Sequence, residues 1–134
     1  MVERLSGSGS LHIGLAFQTG EINCQIDSTF RDSNVFASGF YQNSGDDLVV
    51  NRDQQRLPLN EPIQVMCSVR ENNVQLNVAR QTIATWKPDG RDLTPSPDWS
   101  SRDPKRLVLG GYHSSFKITG LTVKTLRFYH EQGV

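Results

Sequence analysis

Ile63-Gln64-Val65-Met66-Cys67-Ser68-Val69, followed by Asn72-Asn73 and then by Val74-Gln75-Leu76-Asn77-Val78, is the stretch that decides the fold. Apolar residues recur in it at every second position, at 63, 65, 67 and 69 and again at 74, 76 and 78. A strand turns successive side chains to opposite faces, so this alternation builds one apolar row on one face, whereas a helix needs spacings of three and four. Asparagine tolerates the positive φ of a tight turn, so the two halves are expected to fold back on each other as a hairpin. A second reversal at Ala79-Arg80 leads into Thr82 to Trp86, and the middle of the chain is predicted to be a three-stranded meander.

Upstream the same period returns. Leu11, Ile13, Leu15 and Phe17 alternate, Gln18-Thr19-Gly20-Glu21 supplies a turn, and Ile22, Cys24 and Ile26 alternate again, which predicts a hairpin. The run Ser6-Gly7-Ser8-Gly9-Ser10 ahead of it is expected to be a turn. Shorter strands are expected over Val35 to Tyr41 and at Leu48-Val49-Val50, on either side of the turn-prone Asn43-Ser44-Gly45-Asp46-Asp47. Downstream, Leu107 and Leu109 form a strand that Gly110-Gly111 is expected to end. Phe116 and Ile118 then share one phase and Leu121 and Val123 the other, which calls for a bulge at Thr119-Gly120. Many short strands with such punctuation indicate an all-β sandwich or barrel. The core is predicted to hold Leu11, Ile13, Leu15, Ile63, Val65, Val69, Val74, Leu76, Val78, Leu107, Leu109, Leu121 and Val123.

A chain of 134 residues fits one domain, here placed over 1–126 with a tail at 127–134. Fourteen Lys and Arg balance fourteen Asp and Glu, so no summed field favours nucleic acid or an acidic membrane surface. No window is long and apolar enough to cross a bilayer, and the first eleven residues lack the apolar run of a signal peptide. Cys24 and Cys67 both fall on the apolar phase of their strands and are expected to point inward. Two buried free thiols are the expectation, with a bridge between the sheets as the alternative.

Ile83-Ala84-Thr85-Trp86, then Leu93 and Trp99, then Pro104-Lys105-Arg106-Leu107-Val108-Leu109-Gly110-Gly111-Tyr112, and last Phe116-Lys117-Ile118-Thr119-Gly120-Leu121-Thr122-Val123 follow one another in a recognisable order. In order and spacing these residues resemble a concanavalin A-like, laminin G-like jelly-roll module found at the C-terminal end of larger bacterial proteins. Arg4 to Leu11 is similar to the first hairpin of such modules. The chain departs from their pattern at Ala79-Arg80, where the turn is usually Asp-Gly, at Thr85 in place of an acid, and at Tyr112 in place of a tryptophan. The resemblance implies an antiparallel β-sandwich. Since such sandwiches are longer at the N-terminus, it also implies that Met1 opens a domain lacking one or two strands. It implies no particular activity.

Glycosidases of this architecture need two carboxylates flanking the scissile bond, commonly as Glu-x-Asp-x-Glu on one strand face. No such triplet occurs, and Asp27, Glu61 and Asp103 are scattered. No nucleophile elbow or phosphate loop is present, and His12, His113 and His130 lack the spacing of zinc ligands. Asn43, Asp46 and Asp47 offer hard oxygens to calcium, without the regular spacing of a calcium loop; an ordinary polar turn is preferred and no cofactor is expected. The one long aperiodic segment lies between Trp86 and Arg106 and holds four of the six prolines. Trp86, Trp99 and Tyr112 are the expected stacking platform for a sugar, with Arg91, Asp92, Asp98 and Arg102 bonding its hydroxyls. The competing expectation is that the tryptophans pin that loop onto the sandwich. The leading reading is therefore a noncatalytic carbohydrate-binding or adhesion module. A structural or protein-interaction domain comes second, and a glycosidase-like or keto-sugar hydrolase-like enzyme third.

Overall fold

The computed structural model describes residues 1–17, 20–29, 35–42, 47–69, 73–87 and 108–120. Nine strands run through them: β1 (Val2–Phe17), β2 (Gly20–Thr29), β3 (Phe36–Gln42), β4 (Asp47–Asp53), β5 (Pro62–Ile63), β6 (Val65–Val69), β7 (Val74–Val78), β8 (Gln81–Trp86) and β9 (Val108–Ile118). No helix occurs among the described residues. The predicted meander is present as a three-stranded sheet in the order β6-β7-β8. The other sheet runs β4-β3-β2-β1-β5, with β9 also on β1, and every named pair in both sheets is antiparallel. The described residues are thus all-β, with two antiparallel sheets as in a β-sandwich.

One apolar core joins the sheets. Leu11, Ile22, Cys24, Ile26 and Phe40 come from the larger sheet; Val74, Leu76, Val78, Ile83, Ala84 and Trp86 come from the smaller one. Of the predicted core residues, Leu11, Val74, Leu76 and Val78 are buried, and Ile13, Ile63 and Val65 pack against them partly buried. Leu109 is half-buried on β9. Leu15 and Val69 lie in strands but their side chains are outside the described part, as are Leu107, Leu121 and Val123 altogether. Ile83 and Ala84 are adjacent yet both buried, because the β7–β8 register shifts between Leu76 and Asn77 and gives β8 one extra residue there.

Two local expectations are corrected. Ser6 to Ser10 is no turn but part of β1, which pairs with β9 from Val2 to Gly14 and takes an extra residue in each of two bulges, between Arg4 and Ser6 and between Gly7 and Ser10. Glycine serves there for close approach. Gly7 has φ 84°, and a Cβ on Gly9 would collide with the Tyr112 carbonyl across the ladder. Val2 and Leu11, of opposite parity, both reach the core on either side of this irregular stretch, where Gly7 and the facing His113 have positive φ. Gly110-Gly111 likewise does not end a strand, for β9 continues through it. Gly120, where a bulge was expected, has φ 64° just beyond the end of β9.

Among the described residues Arg4 and Asp27 are the buried charges, 1% and 0% exposed, and form an ion pair at 2.8 Å. Arg4 Nε donates to the Leu57 carbonyl (2.9 Å), and Nη1 donates to the Gly9 carbonyl (2.7 Å) and the Ser114 hydroxyl (2.6 Å). The guanidinium also lies 5.0 Å from the centre of the Phe116 ring. The Asp27 carboxylate accepts the backbone N–H groups of Arg56 (2.6 Å) and Leu57 (2.9 Å). Burial pushes the Asp27 carboxyl above its ordinary range, while those two N–H groups and Arg4 pull the other way. Four segments, β1, β2, the 54–60 connection and β9, are therefore fixed by one polar knot. It serves position more than net stability, as buried pairs commonly do.

Candidate functional site

The register of the larger sheet assigns its two faces. Leu11, Ile13, Cys24, Ile26 and Phe40 turn to the core, so their neighbours Ser10, His12, Asn23, Gln25 and Tyr41 take the opposite face, on which Ser10 and Tyr41 are themselves buried. Cross-strand partners share a face. Gly110 on β9, His12 on β1, Gln25 on β2 and Gly39 on β3 consequently lie in one row across the outside of the sheet. Gly14, Asn23 and Tyr41 form the next row, and Tyr112 stands opposite Ser10 on the other side of His12. A Cβ on Gly110 would meet nothing within 4 Å, so the face is open beside His12.

Two contacts order this face. Ser10, 3% exposed, shares a 2.6 Å hydrogen bond with His12 Nε2. Burial lowers the His12 pKa below 6.5, which leaves the ring neutral at neutral pH, with one nitrogen to donate and one to accept. A serine so nearly sealed holds the ring in place and is poorly placed to act as a nucleophile on a substrate. At the rim Tyr112 is 61% exposed, and its ring meets that of His113 edge-on at 4.1 Å and 72°. Side chains of consecutive strand residues normally point apart. His113 has φ 53°, a left-handed conformation, at the position where the two rings meet.

The arrangement offers an open phenol ring at the rim and, next to it, the partly exposed imidazole of His12 and amide of Gln25. Such a surface suits a ligand that is flat on one side, rich in hydroxyls and without formal charge.

Of the residues singled out in the sequence, Tyr112 is on this face. Trp86 is not: it pairs with Val74 on the smaller sheet, is 8% exposed and belongs to the core, because the β8 bulge turns residues 84 and 86 inward. Trp99, Arg91, Asp92, Asp98 and Arg102 lie outside the described residues, as do Asn43 and Asp46; Asp47 begins β4, with its side chain outside the described part. Among the described residues no three His, Cys, Asp or Glu side chains gather as a metal site. Asp27 is committed to Arg4 and Glu61 is exposed, so these two carboxylates do not face each other across a cleft. Sequence reasoning missed His12, Ser10, Asn23 and Gln25. Their signal was the polar phase of the strands whose apolar phase was used for the core. A hollow of about 250 Å³ opens between Gln64, Met66, Asn77 and Arg80, beside the smaller sheet. Compared with known protein families, curated proteins and solved structures, the chain matches none.

Proposed function

We propose that this chain is a noncatalytic recognition module, a jelly roll of the concanavalin A-like, laminin G-like kind that normally serves a larger protein, and that it binds carbohydrate on the outer face of the larger sheet. The observation that carries the reading is the combination of an exposed Tyr112 ring with the uncharged polar pair His12 and Gln25 in the adjacent row. A pyranose stacks its C–H face on the phenol while its hydroxyls exchange hydrogen bonds with imidazole and amide groups. The face holds no paired carboxylates among its described residues, which is why recognition is favoured over hydrolysis. The burial of Trp86 supports the second reading, a structural or protein-interaction domain, to the extent that this tryptophan serves the core.

The test is a screen against neutral oligosaccharides with Tyr112→Ala and Gln25→Ala in parallel. Stacking of this kind contributes about 1 kcal/mol, so Tyr112→Ala should weaken binding roughly fivefold to tenfold. Both variants should melt close to the parent, since surface substitutions change stability by about 0.5 kcal/mol or less. A parent chain that retains no neutral glycan, or a Tyr112→Ala variant that binds as the parent does, would overturn the proposal.

A further inference from the structure

Cys24 lies on β2 of the larger sheet and Cys67 on β6 of the smaller one. Cys24 is in line with Ile13 and Phe40, and is fully buried; Cys67 pairs with the fully buried Leu76, and packs against the same core. Both therefore point into the space between the sheets. There the two thiols are within hydrogen-bonding reach of each other, with no bridge between them. They differ in access. Cys24 is sealed, while Cys67 is half-buried on a strand that has β7 on only one side among the described residues.

We propose that Cys24 and Cys67 form a reversible inter-sheet disulfide, made by thiol–disulfide exchange with a small-molecule disulfide of the glutathione type. Cys67, the accessible partner, gives up its proton and its sulfur attacks one sulfur of the small disulfide. A mixed disulfide forms on Cys67, and the first small thiol leaves with that proton. Cys24 then loses its proton and attacks the Cys67 sulfur, expelling the second small thiol, which takes the proton. Two protein thiols are oxidised and one small disulfide is reduced to two thiols. The hydrogen bond to Cys67, followed by burial, pushes the Cys24 pKa well up, so Cys24 is poorly suited to the first attack and acts as the resolving thiol. The bridge closes a long loop and fastens the two sheets together at their core, so it should raise the melting temperature by roughly 10 °C, reversibly.

The full chain, reduced and then dialysed against oxidised glutathione without denaturant, should lose both titratable thiols together and the mass of two hydrogens. It should remain monomeric on a nonreducing gel and give a Cys24–Cys67 cross-linked peptide. In Cys24→Ala the reaction should stop with one glutathione on Cys67, and in Cys67→Ala the buried Cys24 should stay free. Should either variant fail to fold, the parent's mass and peptide map decide alone. Retention of both thiols, a stable glutathione adduct in the parent, or a bridge formed only between chains would overturn the inference. None of these readings involves a glycan, so the outcome is independent of the carbohydrate proposal.

Discussion

Replacing Asp27 by asparagine keeps the size of the side chain but turns one of its two acceptor oxygens into a donor. Three N–H groups converge on those oxygens, from Arg56, Leu57 and Arg4. Whichever way the amide turns, at least one donor faces a donor, and the Arg4 charge stays buried without its counter-ion. Removing one partner of a buried pair costs about 3 to 5 kcal/mol. That is a large part of the roughly 5 to 15 kcal/mol that holds an ordinary domain folded. With a urea slope of about 2 kcal/mol/M, the unfolding midpoint should fall by roughly 2 M. Arg4→Met should do comparable harm, by leaving the carboxylate uncompensated. The double variant separates charge from hydrogen bonding. With both charges gone, its loss should be smaller than the sum of the singles. It should not return to the parent level, because the carbonyls of Leu57 and Gly9 and one backbone N–H lose partners at about 1 to 3 kcal/mol each. Urea titrations of the four proteins complete the cycle. Additive single effects, or a single variant within about 0.5 kcal/mol of the parent, would refute the account of the knot.

Ala79 and Arg80 both sit at positive φ, 53° and 64°, in the β7–β8 turn, so Ala79→Asn with Arg80→Gly should stabilise the domain by about 1 kcal/mol in thermal or chemical melts. Trp86→Ala should destabilise it by about 3 to 5 kcal/mol, while Tyr112→Ala leaves the melting curve nearly in place; equal effects from the two would contradict their placement. The lowered His12 pKa means that the unfolded chain binds a proton more readily than the folded one below pH 6.5. Stability should therefore fall as the pH drops from 6.5 through the folded pKa of His12, and His12→Gln should flatten that slope in melts across the range.

The parts of the fold set by local alternation were legible. Residues 65 to 78 and 11 to 26 carry their period openly, and β2, β6, β7 and the second half of β1 stand where that period puts them, whereas Ile63, in phase with β6, belongs to β5 of the larger sheet. The bulges were not legible in the same way, because a glycine that admits a neighbouring backbone is written with the same letter as one that turns a chain; Gly9 and Gly110 both look like punctuation and both lie inside strands. Nor was the Arg4–Asp27 pair, which joins residues distant in sequence, each beside apolar positions, and depends on a left-handed φ of 62° at Asp27. The outer face was visible only as the polar phase of separate strands. That Gly110, His12, Gln25 and Gly39 fall into one row depends on register across four strands, which no single strand encodes. Trp86 shows the reverse case. Its size suited a platform as well as a core, and one inserted residue in β8 sent it inward.

The pairing of β1 with β9 joins Val2 to Ile118 and Gly14 to Val108, the longest sequence separations in the molecule's described ladders. On a ribosome adding about 5 to 20 residues per second, the first strand waits on the order of ten seconds before its partner exists. During that interval the hairpin of β1 and β2 is present with one flank of β1 unsatisfied, and the Arg4 side chain lacks Ser114 and Phe116. Closing so distant a contact makes folding slow and makes it late, with the two ends of the described chain meeting last. A nascent chain of this kind depends on being shielded from its neighbours until β9 arrives, and its yield in a cell should respond to chaperone supply and translation rate.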